Sequence, residues 1–155
     1  MFNILQGEIQ GALFLDLCCG TGIMGIEALS RGADRALFVD KSRDSRQLVT
    51  RNLDLLPVSG STRVVEKDAL RYLAVFKELP DSGRLIIYFD PPYKDKKLYQ
   101  QVISRIDNLN PENLIFFIEH KEPLTVQEPV HLHLWKQKRY GNKWISAFTT
   151  IPDFW

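Results

Sequence analysis

The chain has little cysteine, no long apolar run and no excess of either charge, and each lack removes a class of protein. Its only two cysteines, Cys18 and Cys19, are adjacent. They exclude a disulfide framework and a four-ligand metal site, and they suit a reducing cytoplasm. The longest apolar runs, 85–89 and 114–118, are far too short to cross a bilayer. The opening stretch 1–11 has neither the basic start nor the apolar centre of a signal peptide. Lys and Arg number 20 against 19 Asp and Glu, so net charge carries no argument for a polyanionic partner. Such an argument rests on where the cations fall. His120, His131 and His133 have no ligand spacing with either cysteine, and no metal is expected.

What is present suits one globular domain. At 155 residues and 45% hydrophobic content the chain can bury a core of its own. No repeat or linker divides it, so residues 1–155 are taken as a single domain. Near-continuous apolar runs of strand length recur at 12–17, 35–40, 62–67, 84–90 and 113–119, the pattern of strands covered on both faces. Helical patterns alternate with them. Residues 22–31 stop at Gly32, 42–56 stop before Pro57, and 68–79 stop before Pro80. Leu98, Val102, Ile103, Ile106 and Leu109 make one helical stripe. The segment 121–129 is too short and proline-bounded for a helix. Two last strand-like runs, 130–137 and 143–150, flank Tyr140-Gly141-Asn142 as a turn. The prediction is an α/β fold, a mostly parallel seven-stranded sheet of Rossmann-like kind closed by an antiparallel hairpin.

In such a sheet ligands bind beyond the carboxyl ends of the strands. Asp16, Asp40, Asp68 and Asp90 all fall there. Any one of them reads as easily as a helix N-cap; four on one rim point to a site. The first motif runs from Leu15 through Asp16, Cys18, Gly20, Thr21 and Gly22, where glycines let the chain turn and let a ligand approach the backbone. Gly20, Gly22 and Gly25 also fit the dinucleotide spacing, with Asp40 placed for a ribose, so a nicotinamide site is the rival reading. Asp16 opposes it, because a carboxylate there repels a pyrophosphate and attracts the cationic ammonium and sulfonium of S-adenosylmethionine.

The second motif is Asp90-Pro91-Pro92-Tyr93, behind the fourth strand. An exocyclic base amine is a weak nucleophile because its lone pair is delocalised into the ring. The Asp90 carboxylate and Pro91 carbonyl can accept its two hydrogens and draw the nitrogen towards tetrahedral geometry, aimed at a methyl donor. Two prolines stiffen the arrangement, and Tyr93 offers a face on which a base can stack.

At these residues the sequence resembles the amino-methyltransferases that carry Asp-Pro-Pro-Tyr. More closely, it is similar to the D-type guanine-N2 methyltransferases of bacterial small-subunit ribosomal RNA. The likeness extends over Phe2-Asn3-Ile4-Leu5 (that family's first helix), 15–22, 25–33, 90–93 and Arg139-Tyr140-Gly141. It implies S-adenosylmethionine as cofactor. Asp40 would hold the ribose, Asp68 and Ala69 the adenine, and Asp16 and Gly20 the methionine part, with Cys18, Thr21, Gly22, Lys41 and Asp90 completing the binding site. Asp90, Pro91, Pro92 and Tyr93 would be catalytic. It implies an enzyme whose partner is ribosomal RNA or a small-subunit assembly particle; a cytoplasmic location is expected from the cysteines, and a monomer is the default expectation, since the sequence does not set the oligomeric state. Members usually begin with a basic segment ahead of Phe2, and this chain is expected to dock RNA weakly without it. Lys94, Lys96 and Lys97, and Lys136, Lys138, Arg139 and Lys143 among aromatics, are the cations left to grip phosphates. Methylation of adenine N6 on RNA or DNA is the nearest alternative; a nicotinamide oxidoreductase and a silent binding module stand further off.

Overall fold

The alternating apolar runs assemble into one sheet. In the computed structural model, which describes residues 1–5, 7–58, 60–80, 83–92, 94–124 and 126–154, the strands are β1 (Leu13–Leu17), β2 (Arg35–Asp40), β3 (Ser61–Glu66), β4 (Leu85–Phe89), β5 (Leu114–His120), β6 (His133–Tyr140) and β7 (Lys143–Thr149). Their order is β3-β2-β1-β4-β5-β7-β6. The first five pair in parallel, and β7 runs antiparallel to both β5 and β6. Four helices connect them, α1 (Ile23–Ser30), α2 (Arg43–Leu55), α3 (Ala69–Val75) and α4 (Lys96–Leu109). This is the expected fold class.

Side-chain alternation sorts the core into two layers. Leu13, Leu15 and Leu17 of β1 join Leu85, Ile87 and Phe89 of β4 on the face covered by α3 and α4. Phe14, Ile86, Tyr88, Ile115 and Phe117 point the other way, against Leu5 and Ala28. Every residue of β1, β4 and β5 is buried. β3 departs from this pattern, because it is an edge strand and no residue of it is fully buried. Buried Val102, Ile103 and Ile106 fix the inner face of α4, as its stripe requires.

Three boundaries differ from the sequence reading, each for a local reason. Phe2–Ile4 forms a single 3-10 turn where a helix was expected. α3 ends at Val75, because Phe76 turns extended and buries its ring against Tyr72, 5.8 Å between centroids. β6 begins at His133 instead of Val130. The Asp107 carboxylate of α4 accepts the backbone N–H groups of Val130, His131 and Leu132 at 2.8–2.9 Å, so these donors are committed to the helix before the ladder starts. β6 then continues through Tyr140, leaving Gly141 and Asn142 as the turn.

Burial opposes the Asp107 charge, but the three N–H donors, with His131 nearby, hold its carboxyl below the ordinary value. Its stabilising effect is therefore full above the unfolded pKa of about 3.9 and is lost as pH falls through the lower folded value. Asp107→Ala is expected to destabilise by on the order of 3 kcal/mol at pH 7, since it strands several donors. Urea denaturation should show that difference shrinking as the pH falls below the unfolded value of about 3.9.

Candidate functional site

The loop after β1 is built from left-handed backbone. Cys18, Gly20 and Gly22 have φ of +59°, +53° and +77°. For Cys18 that conformation costs roughly 1–3 kcal/mol, a strain the neighbouring hydrogen bonds must hold. Cys19 N–H donates to the Val39 carbonyl at 3.0 Å, and Gly20 N–H donates to the Asp40 carboxylate at 3.0 Å. The other Asp40 oxygen accepts the Ser42 N–H at 2.9 Å. The glycines serve different ends. A Cβ on Gly20 would meet nothing within 4 Å, which leaves its backbone open to a ligand. A Cβ on Gly22 would strike Val49 of α2 at 2.9 Å and one on Gly25 would strike Phe38 of β2 at 2.4 Å, so these two glycines serve the close packing of α1 on α2 and on the sheet.

Asp16 does not line the cavity described next. It is 2% exposed, and its carboxylate accepts the Gly25 N–H at 3.1 Å. Gly22, the N-cap of α1, has no side chain to cap the helix. Asp16 therefore supplies that acceptor from the sheet beneath. Burial drives its pKa well above the ordinary carboxylate value, the Gly25 N–H opposes this, and the Asp90 and Asp40 charges add to it. Any effect of Asp16 on a ligand runs through the loop.

The remaining rim residues surround a cavity of about 390 Å³. Cys18, Asp40, Lys41, Asp68, Ala69, Asp90, Pro91 and Pro92 all line it, joined by Leu98 and Lys143. Gly20, Thr21 and Gly22 form the loop beside it without entering the wall, and Tyr93 lies outside the described residues. Asp68 also performs the ordinary duty of an N-cap, accepting the N–H groups of Leu70 and Arg71. Its capping and cavity-facing readings are compatible.

Burial raises the Asp90 carboxyl to about 6; the Glu119 charge adds to the rise and Lys143 opposes it. Burial and four surrounding aspartates push the Cys18 thiol up to about 12, and burial with neighbouring Asp16 and Asp40 raises Cys19 as well. Neither sulfur is poised as a nucleophile. Among the described residues no cluster of His, Cys, Asp or Glu is arranged for a metal. His120 is buried, with its ring nitrogens on Ser146 Oγ at 2.8 Å and the Glu122 carbonyl at 2.5 Å, a structural histidine.

One functional candidate escaped the sequence reading. Glu119, 8% exposed at the end of β5, accepts the Tyr88 hydroxyl at 2.5 Å and forms an ion pair with Lys143. The rule that found Asp16, Asp40, Asp68 and Asp90 also covers it, because it too is an acid closing an apolar strand.

The profile of the family described as conserved hypothetical protein 95 matches residues 1–149. The chain is 33% identical to YlbH of Bacillus subtilis over 151 residues, 96% of this chain and 81% of that protein. It is also 33% identical to the ribosomal RNA small subunit methyltransferase D of Escherichia coli over 143 residues, 91% of this chain and 70% of that one. The solved structure of yhhF from Escherichia coli superposes with a TM-score of 0.77 at 27% identity, covering 96% of this chain and 80% of that one.

Asp16→Ala removes the acceptor of a buried N–H and is expected to cost about 1–3 kcal/mol in a denaturation experiment. Asp16→Asn keeps an acceptor oxygen and should stay within about 1 kcal/mol of the parent. Equal losses in both would show that the charge, and not the acceptor, holds the loop.

Proposed function

The chain belongs to the family described as conserved hypothetical protein 95, and from that membership and the cavity we propose that it is an S-adenosylmethionine-dependent ribosomal RNA methyltransferase whose target is the N2 amine of a guanine in the small-subunit RNA. The observation that carries this reading is that Asp90, Pro91 and Pro92 share one cavity wall with Asp40, Asp68 and Ala69. An amine acceptor and an adenosyl-binding edge then open on the same space. The named Escherichia coli relative supports ribosomal RNA as the substrate.

The cavity fits the cofactor. Its volume of about 390 Å³ falls within the 300–1,000 Å³ common for small-ligand sites. Three carboxylates against two lysines suit a cationic ligand and disfavour a pyrophosphate, which counts against the nicotinamide reading. Asp40 holds the ribose hydroxyls, because each of its oxygens keeps lone-pair capacity beyond the backbone N–H it accepts. Asp68 and Ala69 meet the adenine. Cys18, Lys41 and the open backbone at Gly20 flank the remainder, with Thr21 and Gly22 shaping the loop and Asp16 supporting it. When bound, S-adenosylmethionine supplies a methyl group made electrophilic by its sulfonium.

The chain's own part is to present the amine. The Asp90 carboxylate and the Pro91 carbonyl each accept one N–H, and the lone pair turns away from the ring as both bonds tighten. Pro91 and Pro92 keep the carbonyl from swinging, and Tyr93 stacks on the base. Alkylation obliges the nitrogen to shed a proton. Asp90, with its carboxyl raised to about 6, can take that proton and release it to water near neutral pH. The enzyme works as a single domain, as a monomer, in the cytoplasm. Among the described residues no helix is long and apolar enough to cross a membrane. Adenine N6 offers the same two hydrogens and is the second reading.

Calorimetric titration should show S-adenosylhomocysteine binding and no binding of NAD. Asp40→Ala should weaken it by about 1.5–3 kcal/mol, the worth of charge-assisted hydrogen bonds. Asp90→Ala should weaken that affinity far less than Asp40→Ala does and lower turnover at least about 100-fold in a methyl-transfer assay, because its bonds to the amine strengthen only as the amine changes geometry. Tight NAD binding, or full activity in Asp90→Ala, would refute the reading.

The pH profile offers a separate check. Protonation takes from Asp90 both the charge that strengthens its hydrogen bond to the amine and its capacity to receive the proton, and its pKa is raised, so activity should fall as pH drops through about 6. An ordinary aspartate would place that limb near about 4.

A further inference from the structure

Charge is unevenly distributed along this chain. Residues 130–150 contain no aspartate or glutamate, yet they carry Lys136, Lys138, Arg139 and Lys143. The fold turns that stretch into the β6–β7 hairpin, with β6 forming the outer edge of the sheet. All but one residue of β6 are exposed.

The register then orders the cations. Lys136 pairs with Ala147, Lys138 with Ile145 and Tyr140 with Lys143. Alternate residues of paired strands point to one face, so Lys136, Lys138 and Tyr140, about 7 Å apart along β6, share a face with Lys143, which stands opposite Tyr140 on β7. The Lys138 ammonium lies over the Tyr140 ring, 5.2 Å from its centroid, and Tyr140 is 41% exposed. At the inner end of the row Lys143 lines the cavity that holds Asp90 and Pro92. There it is secured by Glu119, itself buried and bonded to Tyr88. The row thus runs from open solvent to the proposed acceptor, with Glu119 the anion paired at its inner end.

We propose that this face of the β6–β7 hairpin is the RNA-docking surface, with Lys136 and Lys138 on backbone phosphates, Tyr140 under a base and Lys143 where the strand enters the cavity. The proposal rests on the methyltransferase reading for the identity of the polyanion. Geometry and charge carry the rest. Cations on an exposed edge concentrate a flexible polyanion and release its counterions, and an interleaved aromatic gives an unpaired base a platform. Lysines on an edge strand can also serve only to prevent edge-to-edge pairing between copies, and in that case they would have no bearing on RNA.

Fluorescence anisotropy with a labelled single-stranded RNA separates these roles, read at two salt concentrations on the full chain. Three double variants are compared: Lys136→Glu/Lys138→Glu, its milder form Lys136→Gln/Lys138→Gln, and Arg51→Glu/Lys77→Glu. The last makes the same change in net charge at α2 and just beyond α3, remote from the hairpin. The hairpin reversal should weaken RNA binding at least about tenfold, the glutamine pair should weaken it less, and the slope of log affinity against log salt should fall by about 1.4 for two lost phosphate contacts. Tyr140→Ala should weaken binding and leave the salt slope unchanged. Calorimetry with S-adenosylhomocysteine should give the parent affinity for both hairpin pairs, showing an intact fold. Equal losses in the hairpin and remote reversals, or no loss in either hairpin pair, would overturn the proposal. Because binding is read without methyl transfer, an inactive parent that still loses RNA through the hairpin would refute the enzymatic reading and leave the docking surface standing.

Discussion

The hydrogen bond from the Gly25 N–H to the Asp16 carboxylate ties the central strand β1 to the first turn of α1, and the glycine loop hangs between those two fixed ends. A carboxylate that is 2% exposed is a costly thing to bury. It is tolerated because it replaces the cap that Gly22 lacks. With both ends fixed, the loop can hold the left-handed Cys18 and deliver the Gly20 N–H to Asp40. Asp40 is in turn fastened to the start of α2 through Ser42. One buried bond therefore governs the cavity's floor, although Asp16 never reaches its wall.

The sheet dictates where everything else goes. With β1, β4 and β5 buried on both faces, polar side chains are left only the rim beyond the carboxyl ends. Burial raises the pKa of Asp90 at this rim, the Glu119 charge adds to the rise, and Lys143, held by Glu119, moderates it. The cavity carboxylates that would repel a dinucleotide's phosphates suit the proposed sulfonium, and burial leaves Asp90 close to the point where it can exchange a proton.

Fold class was legible because a buried parallel strand and an amphipathic helix write different periods into the sequence, and 85–89 and 114–118 leave no room for doubt about theirs. The edges were less legible. The run 62–67 reads as one of the strands covered on both faces, while the exposure of β3 follows from its place in the strand order, which is a tertiary fact. The start of β6 depended on Asp107, a residue distant in sequence. At the site, Asp40, Asp68 and Asp90 fell into one cavity as their strand-end positions required. Asp16 shared their pattern, yet it turned towards a helix end, because side-chain direction at a strand terminus is decided by which backbone donor lies in reach. Glu119 was missed for the converse reason: the acceptor motif drew attention to β4, and its buried partner stands one strand over.

The central claim is the identity of the methylated group, and nucleoside mass spectrometry reads it directly. Small-subunit RNA from cells lacking the gene would be incubated with this protein and S-adenosylmethionine carrying a deuterated methyl group, then digested to nucleosides. The label is expected in N2-methylguanosine and nowhere else. Label in N6-methyladenosine, or no label in RNA while the cofactor still binds, would contradict it.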